Sequence, residues 1–377
     1  MKTTGDLQLL KRINRSVLLR LIRSQPGLSR ARLATLSGLT KSTVSGLVRE
    51  LLDEHWLTEP EAPVAGQGMG RPSTPLHIDA NKRVLVGIEI AVDCVRIVSV
   101  SLTGQVLSHK EALLDDPRPA SACKLATQLL RVLTKQLDLN QMLLSGVGVC
   151  LPGAIDDAGG IVRLAPNLGW RNVPFLEMVA QEFGKLGIPA AHIHLQNDGD
   201  TAALGEYEFG GGGNEDPLIF LNCDVGVGAG VVLNDRLFTG ARGTAGEIGH
   251  SILQVNGPLC SCGRRGCAEA FVGARALKEQ TSLEHAAQYL GMMLQNLDAM
   301  FNPRVIVVGG RSTVDHPGLV EAARNTQCAY AQSAGMQAPE VRPARYGLHA
   351  AAVGAAAMVL HQFLRPLLKE ANYVSGH

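Results

Sequence analysis

The first 55 residues of this 377-residue chain carry apolar residues at helical spacing. Val17, Leu18, Leu21 and Ile22 fall on one face of a helix. Most neighbouring positions are polar, so we expect the opposite face to meet solvent. The pattern predicts an amphipathic helix over residues 14–22.

Two further helices are predicted close behind the first one. Ser29 is a suitable N-cap for the stretch RARLATLS, which ends at Gly38, and Thr40 is a suitable N-cap for the longer stretch KSTVSGLVRELLDEH. Two capped helices joined by a short turn that contains glycine are typical of a helix-turn-helix motif. The alternative is a plain helical hairpin with a solvated polar face.

The polar side of the second capped helix has hydroxyls and cations near its start. Such side chains are suited to base edges and phosphates in the major groove of DNA. The predicted DNA contacts on this helix are Lys41, Ser42, Thr43, Ser45 and Arg49.

A glycine- and proline-rich segment follows these helices. Residues 56–58 and 74–78 can pair as two short strands around it, which predicts the wing of a winged helix. The loop between them includes GMGRP, and this places Arg71 where it could enter a narrow minor groove. A flexible interdomain linker is the alternative interpretation of the same composition.

After Asn81 the pattern changes to short apolar strands that alternate with helical stretches. RVLVGIEI, VRIVSVSL and GVGVCLPG begin one such series, and LIFLNCDVGVGAGVVL and RVIVVGG belong to a second. Two series of this kind predict two α/β lobes with a cleft between them. The predicted domains are a winged helix over 1–80, a first lobe over 81–200 that is completed by a C-terminal helix over 350–377, and a second lobe over 201–349.

The net charge of +1 conceals an uneven distribution. Residues 1–80 carry 11 Lys or Arg and 7 Asp or Glu, a net charge of +4, whereas the rest of the chain has a net charge of −3. A basic end on a slightly acidic body favours a polyanion partner for that end. The apolar runs are too short to predict insertion into a membrane, and no signal peptide is visible, so we expect a cytoplasmic protein.

Four potential metal ligands lie close together in the chain. His250, Cys260, Cys262 and Cys267 follow the spacing H-x9-C-x-C-x4-C, and the other five cysteines show no pairing pattern. One imidazole and three thiolates make a complete tetrahedral set for zinc. Because no coordination position is left for an activated water, we predict a structural Zn²⁺ and no catalytic metal.

Several motifs occur together in an order that resembles the ROK family of repressors, open reading frames and sugar kinases. The motifs are GVGVCLPGAID, APNLGW, QNDGDTAALGE, GARGTAGEIGH, CSCGRRGCAE and VIVVGG, between positions 146 and 310. The resemblance covers residues 84–360. It implies an α/β fold of two actin-like, sugar-kinase-like lobes with a sugar in the cleft.

The resemblance also implies which residues bind the sugar hydroxyls. Carboxylates and amides suit this task because they accept and donate hydrogen bonds in fixed directions. The matching residues are Asn167, Asn197, Asp198, Glu247, His250 and Glu269. Asp198 also matches the general base of the family's kinases.

The two segments that match the phosphate-binding loops of the kinases depart from the kinase pattern. Where kinases have a D-x-G-G-T turn, this chain has Glu89, then Ala91 and Val92, and then Asp93; the second loop reads Asp224-Val225-Gly226. These changes remove glycines and hydroxyls and add carboxylates, which oppose a nucleotide. No catalytic residue is therefore assigned.

We expect a transcriptional regulator, a repressor more readily than an activator. Its partners would be double-stranded operator DNA, a sugar or sugar-phosphate effector, and further copies of itself in a homodimer or homotetramer. An ATP-dependent hexose kinase of the same fold is the first alternative. A protein that binds another protein in place of sugar is the second.

Overall fold

The computed structural model describes residues 7–60, 74–137, 142–156, 159–210, 215–241, 243–279 and 282–366. Its N-terminal part contains α1 (Leu7–Ser24), α2 (Arg30–Ser37) and α3 (Lys41–Asp53). The two predicted caps are present, since Ser29 and Thr40 accept hydrogen bonds from the backbone N–H groups of Arg32 and Thr43. Gly38 ends α2 with a φ of +71°, a conformation that favours glycine.

Helix α1 is longer than the predicted span of 14–22. Its first turns carry Leu7 and Leu10, residues that are 81% and 50% exposed. Because these leucines do not contribute to the buried face, the amphipathic pattern began too late to show the true start of the helix.

The two strands of the predicted wing are shorter than expected. Strand β1 (Leu57–Thr58) pairs antiparallel with β2 (His77–Ile78). The loop that contains Arg71 lies outside the described residues, so its contact with DNA stays a prediction.

The first lobe is built on a five-stranded sheet in the order β10-β6-β3-β4-β5. One face packs against α4 (Pro119–Gln136) and α5 (Phe175–Gly184), and the other packs against α12 (Ala350–Leu364). The strands are β3 (Arg83–Ile90), β4 (Cys94–Ser101), β5 (Val106–Leu113), β6 (Leu143–Leu151) and β10 (Ile193–Asn197), and a small sheet beside them contains β7 (Ala154–Asp156), β8 (Ile161–Ala165) and β9 (Trp170–Val173).

The second lobe is also built on a five-stranded sheet, in the order β13-β12-β11-β14-β15. Its core lies between this sheet and α9 (Leu283–Phe301) and α11 (Leu319–Ser333), and α6 (Asp198–Phe209) covers the other face. The remaining elements of this lobe are β11 (Leu218–Cys223), β12 (Val227–Leu233), β13 (Arg236–Leu237), α7 (Glu269–Val272), α8 (Ala274–Glu279), β14 (Val305–Gly309), α10 (Arg311–Asp315) and β15 (Glu340–Pro343).

The helix-turn-helix part shares a hydrophobic core with the first lobe. Leu18 and Ile22 of α1 belong to the same buried cluster as Leu85 of β3 and Ala356 of α12. The guanidinium of Arg83 also lies 4.5 Å from the ring centroid of Trp56. The described part of the N-terminal segment is therefore docked on the α12 face of the first lobe.

The C-terminal helix is shorter than the predicted span of 350–377. It ends at Leu364, and Pro366 explains this end because the residue before a proline is disfavoured in the helical conformation. Residues 367–377 lie outside the described part.

The segment Gly347–Leu364 is long and apolar enough to cross a membrane, but 72% of it is buried inside the fold, as in a core helix.

Candidate metal centre and ligand cleft

The predicted metal ligands come together in the structure. The ligand atoms of His250, Cys260, Cys262 and Cys267 all lie within 4.8 Å of one another. The Cys260 Sγ–His250 Nδ1 and Cys262 Sγ–Cys267 Sγ distances are both 3.7 Å. Ligands about 2.3 Å from one tetrahedral zinc would lie about 3.7 Å apart, so the cluster can hold this ion.

Backbone geometry brings the cysteines close together. The N–H of Cys260 donates to the carbonyl of Arg264 over 2.8 Å, which closes a tight loop. Gly266 has a φ of +77°, and a Cβ there would lie 1.7 Å from the carbonyl oxygen of Gln254. Only glycine fits this position, so the CSCGRRGC stretch is constrained by its backbone as well as by its ligands.

The environment of Cys262 favours a thiolate. Burial is the largest single influence and raises the pKa of this thiol, but hydrogen bonds with the backbone and guanidinium of Arg264, with Cys260 and with Cys267 together lower the pKa to about 6. A thiolate is the form that binds a metal ion. The donor set and its charge therefore both suit zinc.

A cavity of about 800 Å³ lies between the lobes, beside the cysteine cluster. All six residues that the sequence suggested for sugar binding line it, although they come from four separate stretches of the chain. They are Asn167, Asn197, Asp198, Glu247, His250 and Glu269.

The start of α6 supplies two of these residues. Asn197 caps the helix, since its Oδ1 accepts from the N–H groups of Gly199 and Asp200, and its Nδ2 donates to the carbonyl of Gly153. Asp198 Oδ1 accepts from the N–H of Gly199 over 2.9 Å. Burial, reinforced by Asp224 and Glu247 and opposed by the Gly199 hydrogen bond, raises the pKa of Asp198 to about 6.

The two other carboxylates lie next to the metal ligands in the chain. Glu269, the first residue of α7, accepts from the Ser261 hydroxyl over 2.6 Å and from the N–H of Val227 over 3.2 Å. Glu247 comes just before the short 3₁₀ segment that carries His250. Burial raises the pKa of Glu247, with Glu269 adding to the effect and His250 opposing it. Residues on the metal loop therefore form one wall of the cleft.

Ion pairs line a second part of the cleft, close enough to Asp198 for Glu89 and Asp224 to interact with it electrostatically. The Arg311 guanidinium contacts both carboxylate oxygens of Asp93 at 3.1 and 3.4 Å, and the N–H of Arg311 donates to Asp224 Oδ2 over 3.3 Å. Glu89 is 8% exposed and pairs with Arg96 at 3.3 Å. Burial raises the pKa of Glu89 to about 7, although Arg96 opposes the shift.

Sequence reasoning missed Arg96 and Arg311. Asp93 and Arg311 are 218 residues apart, so no local motif could have paired them. The one available signal was the unexpected carboxylate at Asp93, which needs a partner when it is brought into a cleft.

The predicted DNA-contacting residues of α3 share one exposed face. Val44, Leu47 and Val48 are buried on the opposite side. The exposed residues are Lys41, Ser42, Thr43, Ser45 and Arg49. A cationic, hydroxyl-rich face at the start of a second helix has the character of a DNA-recognition surface.

Comparisons with known proteins identify both parts of the chain. The ROK family model matches residues 85–283 and 278–362, and the IclR helix-turn-helix domain model matches residues 16–61. The chain is 28% identical to the xylose repressor of Bacillus subtilis (strain 168), over 96% of this chain and 98% of that protein. It is 30% identical to the xylose repressor of Caldicellulosiruptor bescii, over 82% and 86%.

A solved structure has the same overall fold. It is a ROK family transcriptional regulator described as a homologue of the E. coli MLC protein, and it covers 96% of this chain with a TM-score of 0.74 and 21% identity. The match extends over 99% of that chain, so the predicted arrangement of an N-terminal helix-turn-helix domain followed by the sugar-kinase-like lobes is confirmed.

Proposed function

Because the chain belongs to the ROK family and carries a helix-turn-helix domain in front of the two lobes, we propose that it is a sugar-controlled transcriptional regulator. One observation carries the proposal: a cationic helix face and a carboxylate-lined cleft occur in one chain and are joined by a shared core. The relatives named xylose repressor support repression of sugar uptake or metabolism genes. A soluble, cytoplasmic protein agrees with this role.

The exposed face of α3 would read operator DNA. Ser42, Thr43 and Ser45 would approach base edges, while Lys41 and Arg49 would neutralise phosphates. Arg71 would add a minor-groove contact. Readers of this type bind two half-sites about one helical turn apart, so we propose a homodimer or homotetramer as the active form.

The cleft would hold the sugar effector against Asp198, Glu247 and Glu269. These carboxylates can accept hydrogen bonds from several hydroxyls, and Asn167 and Asn197 add amides to the same cavity. Zinc bound by His250 and the three cysteines would supply structure only, because all four ligands come from the protein. Its effect would be to hold the wall that carries Glu247 and Glu269.

The kinase alternative is disfavoured by the ion-paired charges that line part of the cleft. A nucleotide there would meet Glu89, Asp93 and Asp224, and the nearby cations Arg96 and Arg311 are already paired with these carboxylates. Phosphoryl transfer instead requires free cations, Mg²⁺ and backbone donors around the phosphates. Sugar-dependent ADP release that disappears in Asp198→Asn would overturn the regulator-only proposal.

The test begins with selection of genomic DNA fragments on the purified full-length protein, followed by competition with neutral and phosphorylated sugars. We expect a discrete operator whose binding changes with one of these sugars. Lys41→Ala and Arg49→Ala should each weaken binding and lower the salt dependence by about one unit of slope. Arg118→Ala is the matched control, because this side chain is 81% exposed on the first lobe, away from α3.

Recovery of no specific fragment would contradict a DNA-binding role. A specific operator whose binding no sugar or sugar phosphate alters would contradict sugar control. A melting temperature that no sugar shifts would favour the alternative of a protein ligand.

A further inference from the structure

A buried charge cluster joins the helix-turn-helix part to both lobes at a distance from the cleft. At its centre is Glu208, whose side chain is 3% exposed. It accepts from Arg23 of α1 over 2.5 Å, and from Arg365 and His361 at the end of α12 over 2.6 Å each. Arg23 also donates to the backbone carbonyl of Glu208. A loss of any one partner would leave a charge poorly compensated inside the protein.

A second carboxylate, Asp235, extends the cluster into the second lobe. It lies in the turn between β12 and β13, and it accepts from Arg365 over 2.7 Å and from Arg20 of α1 over 2.9 Å. Tyr207 donates its hydroxyl to the same carboxylate. Arg365 therefore bridges Glu208 and Asp235, and each carboxylate has its own arginine on α1.

Both carboxylates sit at the far ends of elements that begin at the cleft. Helix α6 runs from Asp198 to Phe209, so its first residue lines the cavity and Glu208 lies near its last turn. Strand β12 starts at Val227, whose N–H contacts Glu269, and Asp235 follows its end by two residues. Two separate elements, α6 and β12, thus connect the cleft with α1.

Helix α6 is closely packed along its whole length. Every residue from Gly199 to Phe209 is buried. A Cβ on Gly354 of α12 would lie 1.8 Å from the carbonyl oxygen of Thr201, and a Cβ on Gly230 of β12 would lie 2.3 Å from that of Gly199. A close-packed helix transmits a shift of its first turn to its last turn instead of absorbing it.

We propose that this cluster is the link through which sugar in the cleft changes the position of the DNA-binding helices. When α6 and β12 shift, Glu208 and Asp235 would shift with them. The ion pairs with Arg23 and Arg20 would then move α1. The proposal rests on the proposed function, since it explains how that sugar site would be read. The Arg23–Glu208 pair should contribute most, because the side chains of Arg20 and Asp235 are 41% and 42% exposed and water screens them.

The test measures the operator dissociation constant of the full-length protein with and without sugar. The operator is the fragment recovered by genomic selection, and the sugar is whichever of D-xylose, D-glucose and N-acetyl-D-glucosamine changes operator binding most. Coupling between two sites typically changes affinity about 5- to 150-fold. The quantity compared is the coupling ratio, the operator dissociation constant with sugar relative to the one without sugar. We expect Arg23→Gln and Glu208→Gln each to reduce this ratio from its wild-type value to below about threefold, and Arg20→Gln to reduce it by a smaller factor.

Two measurements separate coupling from simple stability. Sugar affinity, measured by calorimetry without DNA, should stay within about threefold of wild type, because none of these residues lines the cavity. Arg15→Gln is the matched control. Arg15 pairs with Glu54 inside the helix-turn-helix part, so the ratio should be unchanged in this variant. The double variant Arg23→Gln with Glu208→Gln should resemble either single variant in its ratio.

A purely structural cluster would lower the melting temperature of these variants and leave the ratio at its wild-type value, and this result would overturn the proposal. If Arg23→Gln or Glu208→Gln does not fold, Arg20→Gln at the half-exposed pair still gives a ratio to compare. An unaltered ratio in Arg20→Gln would then also overturn it. A wild-type protein that responds to no sugar would instead refute the proposed function itself.

Discussion

Two groups of carboxylates line the cleft, and they have different kinds of partner. In the first group, which is proposed to bind sugar, Asp198 and Glu269 accept from neutral donors such as backbone N–H groups and the Ser261 hydroxyl. In the second, ion-paired group, Asp93 and Glu89 are paired with the cations Arg311 and Arg96. The first arrangement suits an uncharged ligand rich in hydroxyls. The second neutralises the cations that a phosphate group would need.

The largest expected effect comes from removing the metal loop that lies beside the first group of carboxylates. Cys260→Ala combined with Cys262→Ala should release zinc, from about one ion per chain to none, and abolish the sugar-induced shift in melting temperature. Elemental analysis and thermal denaturation measure the two effects. Cys328→Ala is the control, because this cysteine lies outside the cluster. A zinc-free double variant with a normal sugar response would show that the loop does not support the site.

Asp198→Asn should weaken sugar binding about 10- to 100-fold. The change keeps the size of the side chain but replaces a charged acceptor by a neutral one, and hydrogen bonds to charged groups are the stronger class. Calorimetry with the purified protein measures the loss. Asp93→Asn makes the same chemical change at a carboxylate that is already paired with Arg311, and it should alter the affinity for an uncharged sugar less than threefold. Equal losses in the two variants would contradict the functional division of the cleft.

The affinity for an uncharged sugar should decrease as the pH is lowered from 7 to 5. Since the pKa of Asp198 is raised to about 6, its carboxylate is mostly ionised at pH 7 and mostly protonated at pH 5. If the ionised form accepts the sugar hydroxyls, affinity should drop about tenfold between these values. The profile of Asp198→Asn should lose this step. A step of the same size in the variant would assign the titration to another group.

The smallest expected effect concerns the carboxylates that are paired with Arg311. Asp93→Asn combined with Asp224→Asn should leave Arg311 without its carboxylate partners, and binding of D-glucose 6-phosphate should tighten about three- to tenfold relative to D-glucose. The effect is small because the Asp93 and Arg311 side chains are 54% and 25% exposed, where water screens charge. Thermal shifts with both sugars provide the measurement. If the wild-type protein already binds D-glucose 6-phosphate more tightly than D-glucose, the ion pairs do not oppose a phosphate group and the comparison is wrong.

Much of the local structure could be predicted from the sequence. The N-caps Ser29 and Thr40 and the end of α2 at Gly38 were predicted correctly, because a cap depends on neighbours within three or four residues. The early start of α1 and the end of α12 were missed, since exposed leucines conceal a helix and the apolar run of α12 conceals its end. The six suggested sugar residues line one cavity, and their binding role stays a prediction.

The sequence by itself determined the elements whose cause is local: the capped helices, the buried strands and the compact set of one histidine and three cysteines. Only the tertiary structure showed that Arg311 pairs with Asp93, and that Arg23 reaches Glu208 across 185 positions of the chain. The positions of charged residues along the sequence follow no periodicity from which a distant partner could be identified. Their pairing depends on which helix ends and turns the packed core brings together, and the core is fixed by apolar contacts over the whole chain.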